Sequence, residues 1–214
     1  MNRTARFGPA AVLTATALVA AIALPALAIE YPLSSTSIRN AYFMASASDM
    51  RKAEFFGKYT VVPPTPSTGP YIGMIRAETP YMQVVLRASQ GVNYGSQDAQ
   101  QEFLGKPANF RVHVTIVYGP GYCTQLRAVS GGIEASQRDC SHDWSYRFTQ
   151  KKEIPAKSLD VFPTYSIGDI TYVTGAEVIA NYDIAKIESA PASFDVKMPD
   201  GQTVSATFDL DHLQ

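Results

Sequence analysis

The sequence has no marked excess of charge and no cluster of basic residues. Lys and Arg together number 18 and Asp and Glu number 19 in a chain of 214 residues, so the net charge is −1. Binding to nucleic acid or to an anionic membrane surface depends on a concentrated patch of Lys and Arg. The composition therefore excludes nucleic acid as the expected partner and offers no basic surface for membrane attachment.

The sequence also lacks the short motifs that mark common catalytic centres. GxSxG, HExxH, SxxK, GxGxxG and the Walker loop are all absent. Ser141, His142 and Asp143 are consecutive, and consecutive residues of a strand point to opposite faces, so these three cannot form a Ser/His/Asp relay. No catalytic residue and no cofactor are predicted, and a non-enzymatic protein is favoured.

Only one stretch approaches the length of a membrane span, and it lies at the N-terminus. Arg3 and Arg6 precede an uncharged, mostly apolar run over residues 9–24, and a small-x-small triplet follows at 26–28. This order is typical of a secretory signal peptide that is cleaved after the triplet. The alternative, a retained anchor, needs about 20 predominantly apolar residues. We therefore predict a Sec-type signal peptide over 1–28, a periplasmic or extracellular protein, and no transmembrane segment after cleavage.

The first part of the cleaved chain carries the apolar spacing of helices. Residues 34–36 offer capping hydroxyls for the first helix. The residues expected on the buried faces of two short helices are Ile38, Ala41, Tyr42 and Ala45, and then Met50, Ala53, Phe55 and Phe56. A proline-rich connector over 60–70 follows. One strand over 71–78 and two more short helices, starting after Thr79 and at Ser96, complete this region.

From residue 109 onward the apolar period changes from about 3.6 to 2, which is the period of a half-buried strand. Residues 110–118 and 144–148 alternate most clearly. Near the end of the chain, alternating residues 194–198 and 204–210 flank the sequence Pro-Asp-Gly-Gln at 199–202. Asp-Gly between two alternating runs predicts a β-hairpin.

These patterns predict an α+β protein in which short N-terminal helices precede a mainly antiparallel β-sandwich, either Ig-like or a partly open barrel. The helical segment 29–106, with its one early strand, and the sandwich core 107–214 are expected to form one compact unit. Six or seven strands are expected. Once Arg3 and Arg6 are removed, 16 basic residues remain against 19 acidic ones, a net charge of −3.

Cysteine is scarce, since Cys123 and Cys140 are the only two and stand 17 positions apart. In an exported chain such a pair most simply forms a disulfide. The alternative is a catalytic cysteine, which needs a free thiolate and a neighbouring base. An oxidising compartment favours the closed disulfide over the free thiol.

The numbering of the cysteines constrains how the strands around them pair. If 110–118 and 144–148 formed a hairpin, their buried, even-numbered residues would lie opposite one another, and paired numbers would have an even sum. Cys123 and Cys140 have an odd sum, so they cannot lie opposite each other in an unbroken ladder. We expect a bulge or kink at 119–121, or two strands that are not direct partners. The disulfide then closes the base of a projecting loop whose tip lies near 130–132.

His142, Asp143 and the nearby Asp139 are the candidate metal ligands, because imidazole and carboxylate suit several divalent ions. A metal site needs three or four converging ligands, so His113 or His212 would have to join them. The alternative is that these residues form the polar arm of a hairpin. The metal hypothesis supports an alternative function, an exported hydrolase or metal-dependent enzyme.

Aromatic residues suggest a different kind of site. The chain has 12 tyrosines and one tryptophan, and an aromatic ring can pack on apolar groups while its polar atom forms a hydrogen bond. Tyr118, Tyr122 and Trp144, close to the cysteines, are the candidate binding residues. Tyrosine is also a common strand residue, and that alternative stays open. We therefore predict an exported, non-enzymatic binding or envelope-associated β-sandwich domain, whose partner is an envelope protein, a peptide or a glycan.

Overall fold

The structure is a computed structural model. It describes residues 29–119, 121–130, 132–138, 140–166 and 172–213. The predicted signal peptide over 1–28 and the candidate ligand Asp139 lie outside the described residues. No helix among the described residues is long and apolar enough to span a membrane.

From residue 29 to residue 106, all of it described, the chain forms four short helices: α1 (Ser35–Ala45), α2 (Asp49–Tyr59), α3 (Pro80–Gln90) and α4 (Ser96–Phe103). Hydroxyl caps begin two of them, since Ser34 accepts from the Ser37 amide and Thr79 accepts from the Met82 amide, each at 3.2 Å. Helix α1 packs against α3 and α4. The cap residues therefore start the helices where the sequence predicted.

The buried face of α2 matches the predicted one at Phe55 but not at Met50. Met50 is 84% exposed, whereas Phe55 and Tyr59 are buried. The Phe55 ring lies 4.8 Å from that of Tyr59 and 6.0 Å from that of Tyr81 in α3. The helix thus turns its larger aromatic rings inward and leaves the flexible methionine in solvent.

The described residues contain eleven strands, which follow or interleave with the helices: β1 (Thr60–Val61), β2 (Tyr71–Glu78), β3 (Asn109–Val117), β4 (Thr124–Val129), β5 (Gly132–Gln137), β6 (Ser145–Thr149), β7 (Glu153–Ile154), β8 (Ser158–Ser166), β9 (Tyr172–Asp183), β10 (Pro191–Lys197) and β11 (Thr203–Asp209). All strand pairs are antiparallel. The first sheet has the order β1-β2-β3-β9-β8 and the second the order β11-β10-β6-β7, while β4 and β5 form a separate ribbon. The prediction of an α+β, mainly antiparallel sandwich is confirmed, and it is not a closed barrel.

Aromatic rings from both sheets meet in the core. Phe148 of β6 lies 5.3 Å from Phe110 of β3 and 4.9 Å from Tyr182 of β9, measured between ring centroids. All three side chains are at most 1% exposed. The even-numbered residues of β3 are buried along its whole length, as the alternation predicted.

The strands over 110–118 and 144–148 are not hairpin partners. Strand β3 pairs with β2 and β9 in the first sheet, and β6 pairs with β10 and β7 in the second. The odd sum of the cysteine numbers required either a bulge or kink at 119–121 or two strands that do not pair directly, and the second of these is observed. The pairing of β2 with β3 also joins segments 29–106 and 107–214 within one sheet.

The predicted hairpin near the end of the chain is confirmed. Strands β10 and β11 pair from Pro191 opposite Asp209 to Lys197 opposite Thr203. Gly201 has a φ of 88°, a conformation that glycine adopts without steric cost, and its amide donates to the Met198 carbonyl at 2.9 Å. The Asp-Gly turn therefore forms where the sequence placed it.

Candidate functional site

The disulfide between Cys123 and Cys140 is present and closes the base of the β4–β5 ribbon. Both cysteines are buried, and their Cα atoms are 5.8 Å apart, within the usual range for a disulfide. The Arg138 amide donates to the Cys123 carbonyl at 2.8 Å and continues the ladder to the disulfide. The projecting loop expected here is a two-stranded hairpin, because residues 124–129 and 132–137 pair in register.

The candidate metal ligands are only partly described. His142 and Asp143 lie in a short 3-10 turn, Ser141–Asp143, and the Asp143 carboxylate accepts from Arg138 at 2.6 Å. Within the described ranges, which omit Asp139, no three His, Cys, Asp or Glu side chains are grouped so that they could hold a metal ion. The site at Asp139, His142 and Asp143 stays a prediction.

The other two histidines contact separate groups. His212 is exposed, and its Nδ1 lies 2.7 Å from the Asp209 carboxylate. His113, on the outer face of β3, contacts Arg76, Glu78 and Glu177. The described partners of these two histidines have no residue in common.

The three predicted binding residues come together beside the disulfide. Tyr118 stacks on Tyr122 with ring centroids 5.6 Å apart, and it lies 6.4 Å from Trp144. Tyr118 and Trp144 are at most 6% exposed, so these two rings are buried and offer little surface to a ligand. The Arg138 guanidinium lies 6.0 Å from the centre of the Tyr122 ring. The cluster packs next to the base of the hairpin.

A groove opens next to this cluster, between the base of the hairpin and the end of the first sheet; we call it the β8 groove. Its volume is about 240 Å³. One wall comes from the hairpin base and the other from β8 and β9, and the lining residues are Tyr118, Gln137, Arg138, Cys140, Ser141, Val161, Pro163, Tyr165, Val173, Gly175 and Ala176. Of the predicted binding residues, Tyr118 alone lines it.

Among the described residues, β8 and the two-residue β1 are the edge strands of the first sheet, and β8 is unusually apolar for an exposed strand. Leu159, Phe162 and Tyr165 are 49%, 54% and 56% exposed. Edge strands in soluble proteins are commonly protected by charge, proline or a bulge. Here Pro163 and an irregularity between Thr164 and Tyr165 interrupt the strand, but the apolar side chains stay uncovered. The proline within this apolar run is a sequence signal for an edge strand.

A charged cluster occupies the outer face of the first sheet, away from the β8 groove. Arg76 of β2 donates to the Glu78 carboxylate at 2.7 and 3.0 Å and lies 2.9 Å from His113 Nδ1, while His113 Nε2 bonds Glu177 of β9. His113 Nδ1 also lies 3.4 Å from the Glu78 carboxylate. The two carboxylates lie at opposite ring nitrogens and cannot converge with the imidazole on one ion.

Glu78 is the buried acid of this cluster, at 5% exposure. Burial pushes the pKa of its carboxyl upward, but the hydrogen bonds and charges of His113 and Arg76 together outweigh burial and hold the pKa below its ordinary value. The carboxylate is therefore ionised at neutral pH and stabilises the folded state.

We expect Glu78→Gln to lower the free energy of unfolding by about 1.5–3 kcal/mol at neutral pH, the range for hydrogen bonds to charged groups. A depressed folded-state pKa contributes stability above the unfolded value of 4.5, and this contribution is lost as the pH falls through the folded value. The difference between parent and variant should therefore shrink in acid. Urea unfolding at neutral pH and at a series of pH values below 4.5 measures it, with the exposed Glu54→Gln as the control. A difference independent of pH would contradict the assignment.

Comparison with known proteins gives no information about the function of this site. No protein-family model matches the chain, and searches of curated proteins and of solved structures gave no significant match.

Proposed function

We propose that this protein is an exported, non-enzymatic binding domain that holds an extended peptide segment of a partner protein along β8. The observation that carries the proposal is the combination of an unpaired apolar edge strand with a groove at its side. Each feature alone is common on protein surfaces. Their adjacency matches the way in which sheets bind peptides by strand addition.

The open edge supplies the main-chain part of this recognition. Strand β8 pairs with β9 over Ser158–Ser166, and among the described residues no strand lies on its other side. Alternate amide and carbonyl groups of an edge strand face outward and can bond to an added strand. An extended peptide satisfies these groups, whereas a compact ligand or a sugar matches their linear spacing poorly.

The β8 groove supplies the side-chain part. Val161, Pro163 and Val173 give it apolar surface, and Gln137 and Arg138 place polar groups at the hairpin wall. An apolar pocket with few polar groups fixes the orientation of a bound side chain. Arg138 is paired with Asp143, so the wall adds little net charge. We infer a ligand with apolar residues at alternate positions.

Export is part of the same proposal. The charged, apolar and small-residue order of 1–28 supports a Sec-type signal peptide and a periplasmic or extracellular location. The disulfide supports it too, because such bonds form and persist in oxidising compartments. An envelope protein is therefore the proposed source of the peptide segment.

The test begins with selection of binders to the purified protein from a phage-displayed library of random peptides as long as the nine-residue β8. The affinity of the best synthetic peptide is then measured by fluorescence anisotropy. We expect the double variant Leu159→Lys/Tyr165→Lys to weaken binding about tenfold or more, equivalent to about 1.4 kcal/mol, since charge on an edge opposes strand addition.

Val92→Lys is the matched control, because Val92 is 90% exposed and lies in the connection between α3 and α4. It should leave the affinity unchanged. Equal affinity of parent and double variant would reject the peptide site on β8. Binding to a glycan array without any peptide binder would replace a peptide with a sugar as the ligand class.

A further inference from the structure

A second site emerges from the outer face of the first sheet, where α3 and α4 stand over β2 and β3. Two adjoining grooves of about 330 and 280 Å³ open there and share Gln83, Glu102, Phe103 and Arg111 in their walls. We call the pair the helix–sheet groove. None of its lining residues belongs to the β8 groove.

Arg111 is the unusual residue in this groove. It lies opposite Glu78 on one neighbouring strand and Asn181 on the other, so the ladder places a carboxylate beside it. Glu78, however, is bonded by Arg76 and His113. Within the part of the chain that the structure describes, Arg111 forms no ion pair, and its buried Nε has no hydrogen-bond acceptor.

Asn181, on the other neighbouring strand, does not supply Arg111 with an acceptor in place of Glu78. Its amide nitrogen donates to Asp160 at 2.7 Å and to Ser158 at 3.1 Å, both on β8. A buried donor without an acceptor costs about 1–3 kcal/mol. The half-buried Arg111 guanidinium can therefore gain a hydrogen bond from an acceptor atom of a bound ligand.

The charge balance of the groove indicates the sign of that acceptor. Arg76, Arg87, Lys106 and Arg111 line it together with only two acids, Glu78 and Glu102. Arg76 is paired with Glu78, and Glu102 accepts from both Arg87 and Tyr94. The surplus of two positive charges stands at Arg111 and Lys106, on a protein whose cleaved chain has a net charge of −3.

The shape of the groove adds an apolar requirement. Leu86 and Phe103 line one part, and Leu33 and Pro107 line the other. Guanidinium binds planar or tetrahedral oxyanions through two parallel hydrogen bonds. We propose that the helix–sheet groove binds a small ligand in which a carboxylate or phosphate group, held by Arg111, is attached to an apolar body.

The test is titration of the purified protein with benzoate, phenyl phosphate and inorganic phosphate, followed by NMR chemical shifts and isothermal calorimetry. Benzylamine serves as the cationic counterpart. We expect benzoate or phenyl phosphate to bind more tightly than inorganic phosphate, with shifts at α3, α4 and β3, and no binding of benzylamine. The preference between benzoate and phenyl phosphate identifies the oxyanion.

Variants locate the interaction. Arg111→Gln should weaken the better anion about tenfold or more, Arg111→Lys should give an intermediate loss, and Lys106→Gln a loss of a few-fold. Arg127→Gln, at an exposed arginine of β4, is the matched control and should have no effect. Thermal unfolding of each variant verifies its fold, and Lys106→Gln tests the site if Arg111→Gln unfolds.

Two results would overturn the proposal. One is the absence of shifts at α3, α4 and β3 with every anion. The other is an equal loss of affinity in the Arg111 and Arg127 variants, which would indicate general attraction of anions. Neither result bears on the peptide site, since β8 and its groove are not touched by these variants.

Discussion

Replacing Phe148 with alanine is expected to lower the free energy of unfolding by about 3–5 kcal/mol. Phe148 is fully buried, and its ring contacts Phe110 and Tyr182 of the opposite sheet. Its removal takes away apolar burial and leaves a cavity at the place where the two sheets meet. Urea unfolding monitored by circular dichroism gives the difference.

Phe162→Ala is the matched control, because Phe162 is 54% exposed on the edge strand β8. A surface substitution of this kind should change the unfolding free energy by at most about 0.5 kcal/mol. If the two variants were equally stable, the two sheets could not share the aromatic core described here.

Opening the disulfide is expected to cost about 3 kcal/mol, since a closed loop of this length restricts the unfolded chain by about that much. The double variant Cys123→Ala/Cys140→Ala and the parent protein treated with a reductant should both show this loss in urea unfolding. They should also bind the selected peptide more weakly, because Cys140 and Arg138 line the β8 groove at the base of the hairpin.

The reduced parent is a useful comparison because it keeps the side chains and loses only the bond. Agreement between reduced parent and double variant assigns the loss to the crosslink. Unchanged stability in both would mean that the hairpin base is held by the ladder and the Tyr118–Tyr122–Trp144 cluster alone.

Local features of the fold were predictable because they depend on neighbouring residues. Thr79 before Pro80 begins α3, the alternation over β3 separates its two faces, and the Asp-Gly turn joins β10 to β11. The oxidising location predicted from 1–28 also favoured the pairing of the cysteines. Each inference used interactions within a few residues or the chemistry of one residue type.

Features that depend on distant partners were not predictable. The placement of β3 and β6 in separate sheets is decided by pairing with β2, β9 and β10, which no local pattern specifies. On α2, Phe55 packs against the ring of Tyr81, whereas Met50, which was predicted to share its buried face, is exposed. Burial of one helix face is fixed by its neighbour, so periodicity alone left the choice open.

The two proposed sites show the same limit. Strand β8 exposes its edge because it is the last strand of the first sheet, and the proline within it was the only local sign of that position. Arg111 forms no ion pair with Glu78, which lies opposite it on β2, because Glu78 contacts Arg76 and His113 instead. Of the predicted aromatic residues, Tyr118 lines the β8 groove, whereas Trp144 is buried.

The most direct test of the central claim is hydrogen–deuterium exchange of the protein with and without the selected peptide. If the peptide adds a strand to the first sheet, the amides of β8 (158–166) should be protected when it is bound. The amides of β11, an edge strand of the second sheet, should be unchanged. Protection at β11 or at the helices, with β8 unaffected, would contradict the account and place the ligand elsewhere.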